Sequence, residues 1–217
     1  MISLRLPIAF TLTALLAGAG LQASSDTGPP YRSSTAYRNM VKQQSGIKSS
    51  VAEIEVHTKM RSFPPMSLTF HGHSYFQAPD MQAVVFDNVP GVIKGMVKDS
   101  PSIAPAPLWP KHYEVSIVST DGTSTVFHLV SRNPNDLVQS ADVTTDDATG
   151  EMRQLHFVNR NGSEVTNQQT YSQFGSHDVV VSSNGSAHGS GYKADTETTF
   201  TDYQFNVSIP PEVFEQH

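Results

Sequence analysis

The chain has 217 residues, a formal net charge of −6 and a pI near 5.8. That length suffices for one domain with a substantial core, and an acidic chain with no run of Lys and Arg lacks the basic patch of a nucleic-acid binder. There is no cysteine, which excludes disulfides, thiol catalysis, Cys-type zinc sites and the lipid-modified cysteine of bacterial lipoproteins.

Residues 1–23 read as a targeting segment. Arg5 is the positive end and Leu6 to Leu16 the apolar stretch, with Ala17-Gly18-Ala19 as the small-x-small cleavage site and Leu21-Gln22-Ala23 as a looser second option. The segment is too short, and too interrupted by Thr, Pro and Gly, to favour a membrane anchor. The expected mature protein is soluble, in the periplasm of a Gram-negative host or secreted. Residues 24–34 are rich in Ser, Gly and Pro and read as a flexible leader to a single domain over 35–217.

A short helix is expected over 35–46, with Thr35 as N-cap, Tyr37, Met40 and Val41 on one face, and Gly46 at the end. Strands follow at Val51–Lys59, Ser67–Gln77 and Gln82–Asp87. Residues 89–110 then carry five prolines, and within them Val92, Ile93, Met96 and Val97 cluster at helical spacing. This predicts a short amphipathic helix and a Pro-rich loop, an interruption long enough in a β domain to suggest a function.

Strands resume at Tyr113–Val118, Thr125–Ser131, Val138–Thr144, Arg153–Asn159, Glu164–Phe174, Asp178–Ser182 and Thr199–Ile209. Asp121-Gly122, Thr149-Gly150, Asn161-Gly162 and Asn184-Gly185 supply turns between them. The Gly-, Ser- and His-rich stretch 183–191 reads as a mobile loop.

The pattern is mainly β: a strongly curved antiparallel sheet, an incomplete β-barrel, with a short helical lid over its concave face. The inward parity gathers Phe70, Phe76, Phe86, Tyr113, Val115, Ile117, Phe127, Leu129, Leu155, Phe157, Tyr203 and Phe205. With Val92, Ile93 and Met96 from the lid, these are either plain core or the lining of a hydrophobic cavity.

Three stretches point to a family. HGHSYFQAPDMQAVVFDNVP (71–90) is an aromatic strand ending at a Pro and followed by a second strand. SADVTTDDATGEMRQLHFVNRNG (140–162) is a hairpin leading into a Leu-x-Phe strand, and TTFTDYQFNVSIPPEVFEQH (198–217) is a closing strand with an apolar-Pro tail. Together with the targeting segment and the length, these resemble the LolA/LolB-like group of periplasmic lipoprotein and lipid carriers. The resemblance implies an incomplete barrel with a helical lid over a hydrophobic cavity. It implies a monomeric soluble carrier, acting as a chaperone in transport between inner- and outer-membrane donor and acceptor proteins. Acyl chains of lipoproteins or other lipids would be held by area burial, at about 0.8 kcal/mol per CH₂, with no enzyme activity, cofactor or metal. One departure stands out: the family's carriers place an Arg before the motif Pro to latch the lid, and here that residue is Ala78, before Pro79. The alternative is a sensor or interaction module of the same fold that binds a protein partner.

Other constellations are weaker. His71-x-His73 puts two imidazoles on one face of a strand, a spacing that could hold zinc or copper with a third ligand from His57, His112 or His128. Exposed polar residues are the simpler reading. His177-Asp178 lacks the Gly-x-Ser-x-Gly elbow of a hydrolase. Asp142, Asp146 and Asp147 lack a calcium-loop pattern and read as a solvated turn.

Overall fold

The computed structural model describes residues 30–62, 65–87, 102–189 and 191–215. The targeting segment, the start of the leader and the helix expected through Val92, Ile93 and Met96 lie outside these residues.

Helix α1 spans Thr35–Gln43. Its N-cap is Ser34 rather than Thr35: Ser34 is extended (φ −66°, ψ 145°), and its Oγ accepts from the Tyr37 N–H at 3.2 Å. A single 3₁₀ turn, Pro30–Ser33, leads into it and buries Tyr31 edge-on against Tyr37 at 5.1 Å. Residues 30–34, which composition reads as leader, are therefore part of the folded domain.

Ten strands follow: β1 (Ser49–Met60), β2 (Met66–Gln77), β3 (Met81–Phe86), β4 (Tyr113–Thr120), β5 (Ser124–Ser131), β6 (Val138–Asp146), β7 (Met152–Asn159), β8 (Glu164–Phe174), β9 (His177–Gly189) and β10 (Tyr192–Phe205). Between β3 and β4 lie a 3₁₀ turn, Ala106–Leu108, and helix α2, Trp109–His112; helix α3, Glu212–Glu215, follows β10. All ten strands form one antiparallel sheet in the order β3-β2-β1-β10-β9-β8-β7-β6-β5-β4. Among the described residues it does not close, and β3 and β4 are its edge strands. β4 to β10 is a meander, and β1 folds back to pair with β10 from Ser50↔Phe205 to Met60↔Ala194.

The tight turns at Gly122, Gly150 and Gly162 have φ of +89°, +80° and +78°, the left-handed region expected of them. The turn expected at Asn184-Gly185 is absent. Those residues lie within β9, Gly185 facing Thr196 of β10 on one side and Asn167 of β8 on the other. The stretch 183–189 is strand rather than mobile loop, and β10 begins at Tyr192, seven residues before the expected Thr199. Neighbours on both sides hold this glycine- and serine-rich segment extended, which local propensity does not reveal.

Candidate functional site: the inner face of the sheet

Register places the inward side chains in rows that cross the strands. Across β1, β10, β9 and β8 the first row is Met60, Ala194, Ala187 and Val165. The second is Thr58, Thr196, Gly185 and Asn167, and the third is Val56, Thr198, Ser183 and Gln169. Beyond these, Ile54 pairs with Phe200 and Val180 with Tyr171, as a fourth, apolar level. Met60, Ala187 and Val165 of the first row belong to one apolar cluster, Ile54, Phe200 and Val180 of the fourth together with Val56 of the third belong to another, and the remaining residues of the two inner rows are mostly polar.

The first cluster lies over β4–β7. There Phe127, Leu129, Leu155, Phe157 and Tyr113 are buried, with Val115 packed at the margin. Their cover is helix α1, through Ala36, Tyr37 and Met40, together with the strap 102–112. Trp109 is fully buried, 5.6 Å from the Phe127 ring and 6.0 Å from Tyr37. The strap is tied by hydrogen bonds. Tyr37 Oη donates to the Ala106 carbonyl (3.0 Å), the Ala106 N–H donates to Gln44 Oε1 (3.0 Å), and Trp109 Nε1 donates to the Ala104 carbonyl (2.8 Å). The Ala104 N–H donates to Tyr113 Oη (3.0 Å), and burial raises the phenol's pKa above its ordinary value. On its other flank α1 reaches the β6–β7 turn, where Asn39 Nδ2 donates to the Asp147 carbonyl at 2.8 Å. Gly150 makes this approach possible, since a Cβ there would stand 2.3 Å from the backbone of Asn39 and Met40.

The second cluster gathers Ile47, Ile54, Val56, Phe70, Phe76, Val179, Val180 and Phe200. Phe86, Tyr203, Phe205 and Ala78 are partly buried against it. Tyr203 and Phe205 stack at 5.7 Å, and Tyr203 Oη donates to the Val180 carbonyl at 2.6 Å. Burial moves the Tyr203 phenol to a pKa well above its ordinary value.

The residues expected to line one cavity are thus divided between two clusters. Ile117 sits opposite Phe127 on the inner side but is 39% exposed, because β4 is an edge strand. Val92, Ile93 and Met96 lie outside the described residues. Met40 covers the sheet from the apolar face expected of α1, whereas sequence reasoning missed Trp109, which is buried against Phe127. A lone Trp inside a Pro-rich segment was the available signal.

The opposite face carries the histidines. His71 Nδ1 is 3.5 Å from Glu55 and His73 Nδ1 is 3.9 Å from Asp87, carboxylates brought by neighbouring residues that local spacing does not show. His128 pairs with Asp142 at 2.6 Å, and His156 and His188 both approach Glu164 Oε2, at 3.3 and 3.6 Å. Among the described residues no group of three such side chains has the arrangement of a metal site. His177 packs on the Phe205 ring at 4.7 Å. Asp146 accepts N–H bonds from Ala148 and Thr149, both at 3.0 Å, which hold its carboxyl below the ordinary range. A groove of about 430 Å³ near the β9–β10 hairpin is lined by Arg61, Ser186, Ala187, His188, Lys193, Ala194 and Asp195, none of them among the expected lining residues.

With this geometry the chain can be set beside known proteins. Its sequence matches no protein-family profile and no curated protein. Its fold does match solved structures. A domain named for outer membrane lipoprotein sorting, from Vibrio parahaemolyticus, superposes with a TM-score of 0.60 at 15% identity, over 83% of this chain and 95% of that one. A LolA superfamily protein from Nitrosomonas europaea gives 0.53 at 8% identity, over 83% and 96%. A DUF1329 family protein from Desulfovibrio piger gives 0.58 at 10% identity, over 83% and 96%. The fold is LolA-like.

Proposed function

We propose that this protein is a soluble periplasmic carrier that holds acyl chains of lipoproteins or other lipids on the inner face of its sheet. The observation that carries the reading is the pairing of an open sheet with two apolar patches, one of them covered by α1 and the Trp109 strap. The LolA-like fold supports it. The inner-face aromatics, with Val92, Ile93 and Met96, are the lining in this reading, and entry requires the cover to lift. Binding is by area burial and requires no bond-making chemistry. Cleavage after residue 19 or 23 delivers the mature chain, and donor and acceptor proteins at the two membranes load and empty it. With Ala78 in place of an Arg, the cover has no guanidinium latch at that point. Native mass spectrometry of the protein taken from its own host, followed by lipid extraction, tests the reading. A bound acylated species is expected. A clean apo mass, with no saturable uptake of N-phenyl-1-naphthylamine, would overturn it.

The second reading is an interaction module, favoured by edge strand β4. Val118 is 63% exposed there, on a strand that has no neighbouring strand on its outer side among the described residues. Capture of a protein partner that is lost when β4 is altered would support it.

A further inference from the structure

The corner of the sheet where β1 and β9 end and β10 begins gathers cations in a chain whose formal net charge is −6. Lys59 faces Asp195 across the β1–β10 pair, and the Arg61 N–H donates to the Lys193 carbonyl at 2.8 Å, which fixes Arg61 beside Lys193. On β9 and β10, His188 is paired with Lys193 and Ser186 with Asp195. These four alternate with the buried Ala187 and Ala194, so they stand on the outer face, away from both apolar clusters.

This corner is concave. Arg61, Lys193, Ser186, His188 and Asp195 line the groove of about 430 Å³. Its donors are largely unspent. Arg61 Nε donates to Asp195 Oδ2, which orients the guanidinium and leaves its two Nη nitrogens without a protein partner among the described residues. Lys193 has no ion pair, and Ser186 no side-chain hydrogen bond, among the described residues. His188 Nε2 stands 3.6 Å from Glu164 on the β8 side. Asp195 is the one carboxylate in the lining, and it is turned towards Arg61.

A forked guanidinium, an ammonium and a hydroxyl around one hollow are the donor set of a phosphate site: the fork takes two oxygens, and the ammonium acts as a point charge. The volume falls within the range of about 300–1,000 Å³ usual for small-molecule sites, so a phosphate there has room for an organic group esterified to it. We infer that this groove binds the phosphate of a small phosphoester through the Arg61 Nη fork and the Lys193 ammonium, with Ser186 donating a further hydrogen bond. A soluble phosphoester and the headgroup of a phospholipid present the same chemistry. The site lies on the outer face and does not depend on the carrier reading.

The test uses the mature chain and three probes. Calorimetric titration with glycerol 3-phosphate and with inorganic phosphate reads soluble ligands, and co-sedimentation with vesicles of phosphatidylglycerol in phosphatidylcholine reads the headgroup. Saturable binding of glycerol 3-phosphate, of the vesicles or of both is expected. Lys193→Met and Arg61→Met should each weaken it about tenfold, the scale of a hydrogen bond to a charged group. Arg61→Lys keeps the charge without the fork and should recover only part of the loss. Lys48→Met removes an exposed charge just ahead of the opposite end of β1 and should leave binding unchanged. Melting temperatures near that of the wild type establish that the variants fold. Glycerol 3-phosphate bound without vesicles assigns a soluble phosphoester, and vesicles bound assign a lipid headgroup; loss in Lys193→Met and Arg61→Met supports the site in either case. The inference is overturned if neither the ester nor the vesicles bind saturably, inorganic phosphate binding or not. It is equally overturned if binding is unchanged in Lys193→Met and Arg61→Met, or if Lys48→Met weakens it as much as they do, which would make it a response to net charge alone.

Discussion

Truncating Trp109 to Ala is the most direct way to ask what holds the cover on the sheet. The indole is fully buried, touches Tyr37 of α1 and Phe127 of β5, and donates to the Ala104 carbonyl. Removing a buried aromatic of this size costs about 3–5 kcal/mol through lost transfer energy and the cavity left behind. For a domain of this length each kcal/mol moves the midpoint by about 2–4 °C, so Trp109→Ala should melt about 6–20 °C below the wild type. Trp109→Phe keeps a ring against Phe127 and loses the Nε1 hydrogen bond, so it should cost about 1–2 kcal/mol. Circular dichroism melts and urea titrations measure both variants. If Trp109→Ala melts within about 3 °C of the wild type with an unchanged urea slope, the indole does not anchor the strap and the cover is held elsewhere. If the carrier reading holds, the same variant should take up N-phenyl-1-naphthylamine faster than the wild type, because the cover is loosened.

Gly150→Ala should destabilise by more than ~1 kcal/mol, since it combines a positive φ with a clash against the backbone of α1; denaturant titration reads this, and a neutral result would mean the helix shifts freely. Asp146 gives a pH dependence. Its folded pKa is lowered, so its contribution is complete above the ordinary carboxylate range near pH 4 and is lost as pH falls through the folded value. Asp146→Asn should therefore melt below the wild type at pH 7, and the gap should narrow towards pH 2; a gap independent of pH would refute the assignment. Val118→Lys, at an exposed edge position, should change stability by no more than about 0.5 kcal/mol in a urea titration. It should also abolish partner capture if the interaction-module reading is right.

Most of the sheet was legible because its turns are local. Gly122, Gly150 and Gly162 are required by positive φ, and the runs between them alternate cleanly. The exception is the central part of the sheet. Gly185, Ser186 and Gly189 have turn composition, yet β8 and β10 pair with this segment along its length, and that constraint comes from residues far away in sequence. The inner aromatics were also legible by parity, from Phe70 to Phe205. Their division into two clusters was not, because the dividing residues are Thr, Ser, Asn and Gln, types that an alternation reading assigns to the wet face. Only the register of four strands shows that Thr58, Thr196 and Asn167 point inward at one level.

The pairing of β1 with β10 has a consequence for how the molecule is made. Ile54 meets Phe200, so the first three strands have no place in the sheet until the last one has been synthesised. Contacts between such distant residues carry a loop-closure entropy that folding must overcome before they stabilise anything. The meander from β4 to β10 can zip locally, while β1–β3 and the cluster around Phe70 and Phe76 wait for the end of the chain. A nascent chain of this design stays incompletely folded until its last strand emerges, the condition in which a chain can still be threaded through a narrow export channel.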